Sequence, residues 1–131
     1  MPTIITQPSV TVDTDLLAEL ETYVSDIGQV VVHGICRGGV EGTMIRIWPT
    51  TYLFDHHSDH TSELVYHEKI SSFPQWTEIK PNKDFGFTLV FSGLPSSCVI
   101  FDLVEVISQS NGFYIPAIVR NDRDVYYLDF S

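Results

Sequence analysis

Phe85-Gly86-Phe87-Thr88-Leu89-Val90-Phe91 places Phe85, Phe87, Leu89 and Phe91 at every second position. Successive side chains of a strand point to opposite faces, so this spacing predicts a β-strand with four large apolar side chains buried on one face. The flanking sequence continues in the same grammar. Gly93-Leu94-Pro95-Ser96-Ser97 supplies turn chemistry, residues 98–106 are rich in Val, Ile, Leu and Phe, and the two runs read as neighbouring antiparallel strands. A second turn at 108–112 leads into 113–119, where Pro116 predicts an edge position or a bulge because proline cannot donate to a ladder. Asn121-Asp122-Arg123-Asp124 is a further turn before a terminal strand over 125–130.

The first half of the chain reads alike. Residues 29–36 are β-branched, glycines punctuate 37–42, and 43–48 resumes with Ile45 and Ile47 on one face before Pro49 interrupts it. Tyr52-Leu53-Phe54 and residues 64–70 flank the polar stretch 55–62, the layout of a long hairpin. Residues 13–27 fit two patterns. Leu16, Leu17, Leu20, Val24 and Ile27 form a helical face with Asp13 or Thr14 as cap, whereas Ala18, Leu20, Thr22 and Val24 alternate like a strand. About eight short strands separated by Gly, Pro and Asn turns predict an all-β fold, an antiparallel two-layer sandwich or else a barrel, with a helix over 14–26 as the alternative for that segment.

Composition bounds the function. With 131 residues, 44% hydrophobic and 18% charged, the chain is expected to form one domain over 1–131 with a core that needs no metal or disulfide to hold it. A net charge of −10 opposes binding to a phosphate backbone, so no nucleic-acid partner is expected. No apolar run approaches the roughly 20 residues of a membrane helix, and the first residues lack a secretory pattern, so membrane insertion is not expected and the reading is cytoplasmic, with export, and then a single disulfide, as the alternative. Cys36 and Cys98, 62 positions apart, match no zinc or redox spacing and read as unpaired buried thiols.

The order Tyr52-Leu53-Phe54-Asp55, a polar hairpin, Phe87 to Pro95, then Phe101-Asp102-Leu103-Val104-Glu105 resembles small immunoglobulin-like accessory sandwiches of bacterial proteins over roughly 43–119. That resemblance implies a binding or spacer module with no catalytic residues to carry over.

Several local patterns invite chemistry. Asp55-His56-His57-Ser58-Asp59-His60 gathers imidazoles and carboxylates, the ligand set of divalent transition metals, at a predicted hairpin tip. His33 and Cys36 are close in sequence, but residues three apart on a strand point to opposite faces. His67 is a further base, read as a surface residue. The acidic pairs Asp13 and Asp15, Asp102 and Glu105, and Asp122 and Asp124 form no calcium loop. Cys36-Arg37-Gly38-Gly39 has the glycines of an anion-binding turn and equally those of a plain hairpin.

The remaining pattern is a stripe. Met44, Arg46, Trp48, Tyr52 and Phe54 share parity opposite Ile45, Ile47 and Leu53. With the aliphatic set inside, the outer set presents aromatics beside an arginine, the composition of protein interfaces and sugar platforms. Pro49 is positioned to split the stripe between Trp48 and Tyr52. The sequence therefore predicts a non-enzymatic binding or assembly module contacting a protein partner or a second copy through Met44, Arg46, Trp48 and Tyr52, with no cofactor. Its alternatives are a small metal-dependent hydrolase using His56, His57, His60, Asp55 and Asp59, and a carbohydrate-binding domain.

Overall fold

The computed structural model describes residues 28–108 and 111–131. The described residues are all-β. Nine strands follow one another: β1 (Gln29–Cys36), β2 (Thr43–Ile45), β3 (Thr51–Asp55), β4 (Thr61–Glu68), β5 (Thr77–Ile79), β6 (Phe85–Ser92), β7 (Ile100–Glu105), β8 (Tyr114–Val119) and β9 (Val125–Asp129). Seven of them form one sheet in the order β8-β7-β3-β4-β6-β1-β9, and β2 pairs with β5 in a separate two-stranded sheet.

The decisive stretch is β6, an interior strand flanked by β4 and β1. Phe87, Leu89 and Phe91 are buried as their alternation predicts, and Phe85 is half-buried against the same core. Each such side chain contributes about 1.5–3 kcal/mol by leaving water, so a run of them fixes the register. Val30 and Val32 of β1, Leu53 of β3, Phe101 and Leu103 of β7 and Leu128 of β9 line the same interior. Phe101 and Tyr126 meet edge-on at 5.1 Å, although β7 and β9 lie near opposite ends of the strand order. That contact requires the sheet to curl into a half-barrel, and Phe113 meeting Phe130 at 5.1 Å repeats the closure. The β2–β5 pair sends Ile45 and Ile79 into this core, together with Ile47 just beyond β2.

Three expectations are corrected. The seven-stranded sheet is mixed rather than purely antiparallel, because β9 runs parallel to β1 in the register Val31↔Val125 to Ile35↔Asp129. The strand after the 93–97 turn does not neighbour β6. Leu94 and Cys98 are buried in that connection, which delivers β7 to β3 and β8 instead. In place of two comparable layers stand one curled sheet and a small two-stranded one. The 13–27 segment, including the helix considered for 14–26, lies outside the described residues. Pro116 does sit on an edge strand, β8, next to a register shift, with Ala117 at φ 54°. Cys36 and Cys98 are both free, the first half-buried and the second buried. Among the described residues no helix is long and apolar enough to cross a membrane.

Candidate contact face on the two-stranded sheet

The sequence Thr43-Met44-Ile45-Arg46-Ile47-Trp48 alternates, and the structure divides it as alternation requires. Ile45 and Ile47 are buried, while Met44 is 56% exposed on the opposite side. Thr43 pairs with Ile79, Met44 with Glu78 and Ile45 with Thr77. The ladder ends there, and Ile47 bridges Ser72 instead, which folds the 72–76 turn over Arg46. The Arg46 guanidinium carbon lies 3.8 Å from the Trp76 ring centre, 4.7 Å from that of Phe73 and 5.4 Å from that of Trp48. Trp48 and Phe73 stack at 3.8 Å with their planes 24° apart. A cation facing aromatic rings gains about 0.5–2 kcal/mol each, more as water is excluded, so three rings hold the arginine in place.

Several hydrogen bonds fix the supports. Arg46 donates through one terminal nitrogen to the Pro74 carbonyl at 3.2 Å. The loop bearing Phe73 and Trp76 is closed by Ser71 N–H donating to Thr77 Oγ1 at 3.0 Å and Gln75 N–H donating to the Ser72 carbonyl at 2.9 Å. Trp48 N–H donates to Glu105 Oε2 at 3.0 Å, and the Thr51 hydroxyl bonds the Trp48 carbonyl at 2.7 Å. Glu105 is buried, and burial raises its pKa above the ordinary 4.5 even though the Trp48 and Phe113 amides and the Thr51 hydroxyl favour the carboxylate. The outer surface stays open: Phe73 is 41% and Trp76 52% exposed.

Tyr52 does not join this cluster. After Pro49 and Thr50 the chain enters β3, where Tyr52 pairs with Val104 and Glu63 in the large sheet and its ring lies 6.0 Å from Phe54. Phe73, Trp76 and Glu78 take part instead. They were not legible as a site because the 71–84 segment shows too short an alternating run to announce a strand. Its one signal is two aromatics around Pro74, in Phe73-Pro74-Gln75-Trp76.

The histidine-rich hairpin tip is placed differently from a metal centre. His56 Nε2 donates to Asp102 Oδ1 at 2.6 Å, towards β7 and β8. His60 Nε2 lies 3.0 Å from the Gly93 carbonyl and 2.9 Å from Ser62 Oγ, in another direction. Asp55 accepts from the Ser58 hydroxyl at 2.6 Å and the His57 amide at 3.0 Å, which hold its pKa below the ordinary value. Asp59 and His57 are exposed on the tip. Among the described residues no three His, Cys, Asp or Glu side chains converge to hold an ion.

Other candidate groups are engaged structurally. His33 bonds Thr88 and packs on Tyr127 at 5.2 Å, while Cys36 packs against the core, so the two do not form a pair. His67 is half-buried and donates to the Ile70 carbonyl at 2.9 Å. The Gly38 amide donates to Asp84 Oδ1 at 3.1 Å, and a Cβ there would stand 2.0 Å from the Lys83 backbone, so the glycine turn is filled by the chain's own carboxylate. A cavity of about 380 Å³ beside Cys98 is lined by Arg120 and Asp124. There the arginine donates to Asp124 through two nitrogens and to the Leu94, Pro95 and Cys98 carbonyls, and burial pushes the Cys98 thiol up to about 11. These groups bind one another.

The chain matches no protein-family model, and no curated protein or solved structure matches it. The residues of the β2–β5 face therefore carry the functional reading by their own chemistry.

Proposed function

We propose that this chain is a non-enzymatic binding or assembly module whose contact surface is the β2–β5 face, with Arg46 at its centre, Trp48, Phe73 and Trp76 around it and Met44 beside it. One observation carries the reading. Arg46 is held by three rings and a carbonyl, with no carboxylate within 4 Å among the described residues, whereas Arg37 and Arg120 are both paired with aspartates. Its Nε is buried and its charge favours the Glu105 carboxylate, so the terminal guanidinium nitrogens are what a partner would meet, on a patch that is already ordered. Aromatic and arginine side chains dominate binding energy at interfaces, and pre-ordering reduces the entropy lost on association. Nothing in the cluster resembles catalytic machinery: it holds no nucleophile beside a base.

The test is quantitative formaldehyde co-purification from the cells that make the protein. Trp76→Ala is expected to lose the proteins recovered with the wild type, while Tyr114→Ala, an equally exposed aromatic on β8, retains them. Equal recovery with both variants would contradict the assignment.

A further inference from the structure

We infer that the partner of this face is an acidic, extended protein segment carrying two carboxylates four residues apart, one for Arg46 and one for Lys80. The inference rests on the reading of the face as a contact surface and adds the chemistry of what it contacts.

Charge distribution supplies the first argument. Segments 37–48 and 69–83, which build this end of the molecule, hold five of the seven basic residues, namely Arg37, Arg46, Lys69, Lys80 and Lys83. They hold Glu41 and Glu78, and Asp84 and Asp129 pair with Arg37 from outside them, so the five cations face four carboxylates, a net charge of +1 in a chain of net −10. Of the five, only Arg37 has a carboxylate within 4 Å among the described residues. An electropositive region on an acidic protein attracts an acidic partner and repels a copy of itself docked face to face.

Register supplies the spacing. Met44 pairs with Glu78, Arg46 lies on the Trp76 ring two residues along β2, and Lys80 follows Glu78 two residues the other way, so the exposed row runs Arg46 with Trp76, Met44 with Glu78, then Lys80. Arg46 and Lys80 thus lie four residues apart along the sheet, about 13 Å at 3.3 Å per residue. An extended segment laid along the row has the same rise, which brings side chains i and i+4 to the two cations. Its residue i+2 falls over Met44 and favours an apolar side chain, because a carboxylate there would face Glu78. A shallow cavity of about 310 Å³ lined by Gly42, Thr43, Met44, Glu78, Ile79 and Pro81 lies along the path between the two cations.

The probe is the blocked pentapeptide Glu-Thr-Leu-Thr-Glu, titrated into the ¹⁵N-labelled full chain and followed at the Trp76 and Trp48 indole N–H signals. Saturable shifts at both indoles are expected, weakening as salt is raised. Arg46→Gln and Lys80→Gln are each expected to weaken binding at least about fivefold, and Arg123→Gln, at the β8–β9 turn, to leave it unchanged. Unperturbed melting of each variant shows that loss of binding is not loss of fold. Equal binding of the Gln-Thr-Leu-Thr-Gln peptide at the same signals would overturn the acidic partner while keeping the face as a contact surface. Tighter binding of an oligothymidine, or a concentration-dependent dimer in sedimentation that is lost in Trp76→Ala, would overturn it in favour of those occupants. No shift with any probe would also overturn it, and co-purification unaffected by Trp76→Ala would remove the contact reading beneath it.

Discussion

Gly34 sits on β1 directly opposite Phe87 of β6. A methyl group added there would lie 2.5 Å from Phe87 Cζ, 2.6 Å from Cε2 and 2.9 Å from Phe130 Cδ1. Ordinary carbon contacts are about 3.5–4.0 Å, so Gly34→Ala requires both rings to retreat by roughly 1 Å. Neither has room. Phe87 is 3% and Phe130 7% exposed, the two rings meet at 5.0 Å, and Phe130 is backed by Phe113. Overpacking of this kind costs about 1–3 kcal/mol, which for a chain of this size lowers Tm by about 4–12 °C. Phe87→Leu removes the ring end that clashes and by itself costs about 1–2 kcal/mol. In the double variant the new methyl occupies the vacated space, so the combined loss is expected to fall short of the sum by about 1 kcal/mol or more. Urea midpoints of the four proteins, at constant slope, measure this. An unchanged midpoint for Gly34→Ala, or strict additivity in the double variant, would refute the β1–β6 register.

Arg120 binds Asp124 through two nitrogens and ties the 94–98 connection to the β8–β9 turn, with only 15% of its side chain exposed, so Asp124→Ala is expected to cost about 3 kcal/mol in urea unfolding. Glu105 titrates above the ordinary 4.5 because it is buried; the stability it adds is full below that value and is lost as pH rises through its folded pKa. The stability of wild type relative to Glu105→Gln should therefore fall as pH rises from 4.5, and a difference that rose over the same range would contradict the assignment. Cys98, buried and pushed up to about 11, is expected to resist thiol reagents at pH 8 until the protein unfolds, with Cys36 reacting first; the reverse order in a timed labelling experiment would be inconsistent with the structure. Zinc calorimetry should find no submicromolar site at the hairpin tip, since His56 and His60 are engaged in different directions; a tight site abolished by His57→Ala would overturn that.

Legibility followed the length of each pattern. β6 could be read because its alternation runs uninterrupted over seven residues, and the β3–β4 hairpin because two apolar runs flank a polar one. The parity of Ile45 and Ile47 against Met44 divides inside from outside. Sheet order was not readable, because strand pairing depends on where a connection crosses the core, and Leu94 and Cys98 carry no mark of that in sequence. The parallel pairing of β9 with β1 joins residues more than ninety positions apart and leaves no local trace. Tyr52 shares the stripe's parity, but the turn after Pro49 resets it. Phe73 and Trp76 escaped notice because β5 has three residues, too few for a period, and because their role depends on a guanidinium thirty positions earlier.

Contact through the β2–β5 face, and not elsewhere on the apolar surface, can be tested directly. A photo-cross-linking amino acid introduced singly at Met44, Val65, Tyr114 and Val119, all 50–60% exposed, compares the β2–β5 face with one position on β4 and two on β8 in the cells that make the protein. A discrete adduct to an acidic protein from position 44, absent from the other three, is the predicted result. Adducts of equal yield from all four positions, or from 114 and 119 alone, would contradict it.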